Sequence, residues 1–275
     1  MHFSAWRRSA PRRLAVAALD LHFQVYGTGP RTLLLIHGWA CSHRYWEELA
    51  ALLPSEYRAV AVDLRGFGDS PKPPTGYHFD DHAADLVRLI HRLSLPRAAL
   101  VGHSMGGAIA LHLALGHAPL FRALTIVDAG AYVAQRRRIL ELADDDLFQT
   151  GMTTDQLSRA VTSWFHDSED PRIPEFQRIA RSSPGPIRGE ALRCHIARDM
   201  RNEIRNIDLP TLVLYGALDG MRSYEEAEYL RDTIPGAELR VIAGAAHSPQ
   251  VERPHETVVA LLDFFERRRI WADTL

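Results

Sequence analysis

One serine in the chain stands between two glycines directly behind an apolar run, in the octet Leu100-Val101-Gly102-His103-Ser104-Met105-Gly106-Gly107. A serine hydroxyl is a weak nucleophile unless a base removes its proton and fixed donors receive the negative charge its attack creates. Gly102 and Gly106 lie two residues before and two after Ser104. A sharp strand-to-helix turn that projects the hydroxyl leaves no room for bulk at those two places. The same octet could instead be a glycine-rich turn with an incidental serine. The choice depends on whether a carboxylate and then a histidine follow at later strand ends, in that order.

The chain has 14 histidines, so a histidine alone means little. His247 differs through its setting, Gly244-Ala245-Ala246-His247-Ser248-Pro249, just past the last strand-like run and beside a helix-breaking proline. There a loop can carry it back over the serine as general base. Asp219 ends the preceding run, Thr211-Leu212-Val213-Leu214-Tyr215-Gly216-Ala217-Leu218-Asp219, where its carboxylate would hold the second imidazole nitrogen. Asp128 ends the run before that and is a rival acid. Its more economical role is to cap the connection into the segment that follows. Two backbone N–H groups must receive the oxyanion: Met105 supplies one, directly after the nucleophile, and Trp39 the other, in His37-Gly38-Trp39 at the end of an earlier run. The Trp39 and Met105 side chains are expected to wall the substrate site, and His37 to serve as a structural hydrogen-bonding group.

These residues need a scaffold of strand ends. The runs 32–38, 57–66, 97–104, 123–130, 211–219 and 237–247 are continuous and apolar, as in strands covered on both faces. Residues 14–19 and 21–27, split by Asp20, read as an opening strand pair that ends at Gly27-Thr28-Gly29-Pro30. Amphipathic helical stretches at 43–53, 79–93, 105–117, 224–234 and 255–269 lie between the strands, which predicts an α/β fold with a mostly parallel sheet flanked by helices. The alternation breaks from about residue 131 to 207, where helical patterns at 154–165, 175–181 and 188–202 are joined by Pro- and Ser-rich links. The expected organisation is a core over 1–130, a helical cap over 131–207 and the rest of the core over 208–275. Apolar residues of the cap, Leu147, Phe148, Trp164, Phe165 and Phe176, are expected to shape an apolar acyl pocket.

Bulk properties exclude several classes. The 275 residues are 46% hydrophobic and 24% charged, near the globular average, and the net charge of −2 offers no basic surface for nucleic acid. No stretch approaches the roughly 18 apolar residues of a membrane span, and the N-terminal apolar run is shorter than the roughly 7–15 of a signal peptide. The two cysteines, Cys41 and Cys194, cannot form a disulfide framework or a four-ligand zinc site, and they read as free thiols in a reducing, cytoplasmic setting. Asp63-Leu64-Arg65-Gly66-Phe67-Gly68-Asp69-Ser70 matches neither glycine-rich phosphate motif, so a tight strand-to-helix loop is expected. No His/Cys/Asp/Glu group has metal-ligand spacing in the sequence, and no cofactor is expected.

Together, residues 37–39, 63–70, 102–107, 214–220 and 244–254 resemble the α/β-hydrolase fold superfamily, over about residues 15–268. The resemblance implies that fold and a Ser104–Asp219–His247 triad acting on a small-molecule ester through an acyl-enzyme. The segments at 37–39, 214–220 and 245–249 are most similar to the methyl-ester carboxylesterases that release pimeloyl-acyl-carrier protein in biotin synthesis. Those enzymes typically carry Trp before the nucleophile, where this chain has His103. The same fold hosts lactonases, thioesterases, C–C bond hydrolases, cofactor-free perhydrolases and non-catalytic binding proteins.

Overall fold

The structure is a computed structural model that describes residues 17–134 and 145–272. Seven strands form one sheet: β1 (Phe23–Tyr26), β2 (Arg31–Ile36), β3 (Tyr57–Val62), β4 (Ala98–His103), β5 (Phe121–Val127), β6 (Thr211–Gly216) and β7 (Glu238–Ile242). Their order is β1-β3-β2-β4-β5-β6-β7. β1 runs antiparallel to β3, and every other pairing is parallel.

Residues of one strand alternate between two cores. In β2, Leu34 and Ile36 join one apolar cluster, and Leu33 and Leu35 join another on the opposite face. The first cluster is covered by α2 (Phe79–Arg92) and α3 (Met105–His117), the second by α1 (Glu47–Ala51) and the C-terminal helix Pro254–Arg267. Helix α3 is apolar around most of its circumference and is correspondingly buried, the pattern of a helix enclosed by sheet and neighbours.

Between β5 and β6 every described element is helical: α4 (Asp145–Gln149), α5 (Thr154–Thr162), α6 (Ile173–Arg181), α7 (Gly185–Ala197) and a 3₁₀ turn at Ile204–Asn206. After β6 come α8 (Tyr224–Thr233), α9 (Pro249–Glu252) and α10 (Pro254–Arg267). α6 and α7 each begin a few residues before the expected start because a proline occupies the first turn, where a missing N–H costs no helical bond.

Two expected strands differ from the structure. Of the opening pair only β1 is a strand, and residues 14–16 lie outside the described residues. Between them and β1, side chains satisfy the backbone in place of a neighbouring strand: Leu19 N–H donates to Asp85 Oδ1 and His22 N–H to Ser70 Oγ. The last run leaves the sheet at Ile242 and turns at Gly244, whose φ is +69°. Residues 243–247 are thereby released as the loop that carries His247.

Candidate active site

The elbow is built by steric exclusion. Ser104 sits at φ 52° and ψ −120°, a conformation that non-glycine residues rarely adopt, between the end of β4 and the start of α3. A Cβ on Gly102 would come within 2.4 Å of the Gly106 carbonyl oxygen, and one on Gly106 within 2.4 Å of the Ile36 and His37 oxygens. The two glycines therefore let the turn close on itself and on the neighbouring strand. The Ser104 N–H is anchored on the Val127 carbonyl at 2.9 Å. The N-terminal end of α3 points its partial positive charge toward the serine.

His247 comes back over this turn from its loop. The Ser104 hydroxyl donates to His247 Nε2 at 3.0 Å, and His247 Nδ1–H donates to Asp219 Oδ2 at 2.8 Å. The carboxylate fixes the tautomer, because only a protonated Nδ1 can donate to it. Asp219 Oδ1 accepts the backbone N–H groups of Met221 and Arg222 at 2.7 and 3.2 Å. Burial opposes charge on Asp219, but the His247 ring and these two donors outweigh it and hold the carboxyl below its usual range. Ser104, Asp219 and His247 are thus brought together from residues up to 143 apart in sequence.

The backbone of His247 is held on both sides. Its N–H donates to the Trp164 carbonyl of the inserted helices, and its carbonyl accepts His103 Nε2–H at 2.7 Å. Burial pushes the His103 imidazole down to about 3, so the ring is neutral and its single proton sits on Nε2. Glu252, in α9, accepts the N–H groups of Ala246 and Ser248 on Oε2 and that of His166 on Oε1. One carboxylate therefore brackets His247 and ties its loop to the inserted segment. His103 reads in sequence only as a departure from a family, and Glu252 carries no signal except its place five residues after His247.

The predicted oxyanion loop follows β2, which pairs with β4 through Ile36 and Gly102 and so lies beside the elbow. A Cβ on Gly38 would stand 3.1 Å from Ser104 Cβ, which puts the Gly38-Trp39 backbone against the nucleophile. His37 has the structural role expected of it. Its Nδ1–H donates to the Gly38 carbonyl and its Nε2 accepts the Leu64 N–H, and burial pushes its pKa down to about 4. The Trp39 indole N–H donates to the Arg188 carbonyl in α7, so this ring joins the loop to the inserted helices. Met105, whose side chain was expected to wall the substrate site, is instead buried at the head of α3 and is not among the residues lining the cavity over Ser104.

A cavity of about 270 Å³ opens over Ser104 and His247 and is lined mainly by apolar side chains, among them Trp39, Leu147, Met152, Trp164 and Leu192. Leu147 and Trp164 line it as expected. Phe165 and Phe176 do not: they are buried, with ring centroids 5.6 Å apart, and Phe176 packs on Tyr45 at 4.1 Å, which makes them the interface between inserted helices and core. Phe148 is half-buried outside the cavity. The polar end is Arg222, which donates to His195 Nε2, Glu226 and the Tyr132 carbonyl.

Folding also gathers groups that sequence spacing does not. Among the described residues, three trios could offer ligand atoms to a metal: His22, His43 and Asp63; His78, Glu190 and Cys194; and Asp128, Asp219 and His247. In the first, two backbone N–H groups and two imidazoles already occupy both Asp63 oxygens. The third corrects the role expected of Asp128. Its Oδ1 accepts the Gly216 N–H of β6 at 2.8 Å and makes no cap to the described residues of the inserted segment, because the turn after β5 aims it across the sheet end toward Asp219. Cys41 and Cys194 are both buried and are not joined in a disulfide.

A model of the alpha/beta hydrolase fold family matches residues 31–254. The pimeloyl-acyl-carrier-protein methyl ester esterase of Vibrio vulnificus is 28% identical over 260 residues, 89% of this chain and 98% of that protein. An AB hydrolase superfamily protein of Bacillus subtilis, YisY, is 30% identical over 236 residues, 79% of this chain and 85% of its own. Among solved structures, a thermophilic esterase from Thermogutta terrifontis superposes with a TM-score of 0.79 at 27% identity, covering 91% of this chain and 93% of that one.

Proposed function

The chain belongs to the α/β-hydrolase fold family, and from that premise we propose that it is a serine hydrolase cleaving carboxylic esters of small to medium apolar acyl groups. The observation that carries this reading is the unbroken chain from Ser104 through His247 to Asp219, at 3.0 and 2.8 Å, on a strained elbow beneath an apolar cavity. Its similarity to an esterase acting on a methyl ester supports the same reaction.

In the proposed mechanism Ser104 Oγ attacks the ester carbonyl carbon while its proton passes to His247 Nε2. The Trp39 and Met105 N–H groups receive the oxyanion, and the Asp219 carboxylate stabilises the imidazolium. As the C–O bond breaks, His247 gives the proton to the departing alcohol. Water, deprotonated by the same histidine, then attacks the acyl-enzyme and frees the acid and Ser104. The helices between β5 and β6 act as a cap over the acyl site. Two buried cysteines that form no disulfide suit a reducing compartment, and the cytoplasm is the location we assign.

The test is labelling by a fluorophosphonate probe, paired with hydrolysis of p-nitrophenyl esters from acetyl to dodecanoyl, lactones and acyl thioesters. The expected result is labelling that Ser104→Ala abolishes and ester turnover that peaks at a medium chain. An unlabelled wild type refutes the hydrolase. Faster turnover of lactones or thioesters refutes the ester preference.

A further inference from the structure

The mechanism above uses one carboxylate, yet two lie buried at the end of the sheet. Asp128 is 1% exposed and takes φ 43°, which Asp and Asn tolerate better than most residues. One ligand atom each from Asp128, Asp219 and His247 lies within 4.8 Å of the others. Asp219 has the partners of an ion: an imidazole N–H on one oxygen and two backbone N–H groups on the other. Asp128 does not. Its Oδ1 accepts one backbone N–H, and its Oδ2 is shielded from solvent with no donor among the described residues.

A shielded carboxylate oxygen without a donor is costly as an ion, and two buried carboxylates this close cannot both hold their charge. We propose that Asp128 is a neutral carboxylic acid whose Oδ2–H donates to the Asp219 carboxylate, so that the pair carries one proton and one negative charge. Asp128 is then a positioning residue. It fills the remaining lone-pair site of Asp219 and fixes the carboxylate plane that orients His247. It also keeps the field on His247 to that of one anion. A doubly ionised pair would bind the imidazolium so tightly that the proton would not pass on to the leaving alcohol.

The titratable groups around the pair agree with this assignment. Tyr215 faces it from β6, His247 and Glu252 from the last loop and α9, and the Arg222–Glu226 ion pair stands around the start of α8. Neutral His103 stands on the elbow. Burial and the nearby Asp219 and Glu252 charges raise the Asp128 carboxyl well above its ordinary value.

The proposal rests on the esterase reading for its kinetic consequences but not for the location of the proton, so the two can fail separately. At neutral pH the infrared difference spectrum between wild type and Asp128→Asn is expected to show the loss of one protonated-carboxyl C=O band. Asparagine keeps a neutral donor, so its acid limb in kcat/KM against pH stays in place and its activity remains within about threefold of wild type. Asp128→Ala lowers kcat about tenfold at unchanged KM, the factor carried by one hydrogen bond to a charged group. Absence of the band, full activity in the alanine variant, or an acid limb about one unit lower in the asparagine variant, as when a real charge is removed, each overturns the proposal. Should the alanine variant fail to fold, the spectrum and pH profile of the asparagine variant decide. An unreactive wild type that still shows the band would sink the esterase reading and leave the shared proton standing.

Discussion

Lowering the pH from 7 to 5 is expected to destabilise this protein far more than a typical enzyme of its size, through four histidines held neutral in its interior. Burial pushes His37 down to about 4 and His82, His103 and His195 to about 3, against an ordinary value of 6.5. Each folded value is depressed, so between the two values the unfolded chain binds a proton that the fold refuses. Stability therefore rises with pH in this window and is lost as pH falls below 6.5. Each residue contributes a loss of about 2 kcal/mol between pH 7 and 5, roughly 8 kcal/mol for the four. Asp128, with its raised value, acts with the opposite sign and offsets part of that. The lowered carboxyls of Asp63 and Asp219 begin to matter only below their ordinary range, outside this window. The loss carried by the histidines rivals the whole stability of many domains. Urea titrations at pH 7, 6 and 5 measure it. The discriminating variant is His82→Phe, because both ring nitrogens of His82 are buried without a hydrogen-bond partner among the described residues. It should shrink the loss by about 2 kcal/mol. An unchanged pH slope in that variant, or a wild type equally stable at pH 5 and 7, refutes the reasoning.

Glu252→Ala strips three backbone N–H groups of their acceptor around His247. It should lower kcat at least tenfold, with a stability loss of about 3 kcal/mol by thermal melting, while Glu252→Gln recovers part of both. Leu192→Trp fills part of the cavity, so kcat/KM for octanoyl esters should fall about tenfold or more relative to acetyl esters, as measured in the chain-length series. Gly106→Ala forces a Cβ to within 2.4 Å of two carbonyl oxygens. It should cost about 3 kcal/mol or more, or prevent folding, as read by circular dichroism and melting.

What could be read ahead of the structure followed from chain order. Ser104, Asp219 and His247 stand at strand ends, and apolar runs mark strand ends plainly, so the order of runs orders the residues around one edge of the sheet. The helical character of the segment between β5 and β6 was legible for the same reason. Which of its apolar residues face the cavity was not, since Trp164 and Phe165 are neighbours in sequence with different fates: one lines the cavity, and the other packs under it. Side-chain partners set by tertiary adjacency leave no local trace. Asp128 reaches Gly216 across 88 residues, and His103 reaches the His247 carbonyl across 144.

His103 shows what this means for specificity. As a letter in the octet it is a departure from the Trp typical of the methyl-ester carboxylesterases the sequence resembles, and departures beside a candidate nucleophile invite a substrate explanation. Its ring, however, is 1% exposed, lies 15° from parallel with Tyr45, and spends its one proton on the His247 backbone. That bond joins the residue before Ser104 to the backbone of His247, so the elbow and the histidine loop are one unit. His103→Phe keeps a flat ring against Tyr45 but leaves the His247 carbonyl without its donor. If His103 fastens the base, kcat falls about tenfold for every acyl length alike, with KM unchanged. If it selects substrate, the losses diverge along the chain-length series and appear in KM. The uniform loss is the result expected, because the ring, although it borders the cavity, is buried and gives its one proton to the backbone of the His247 loop.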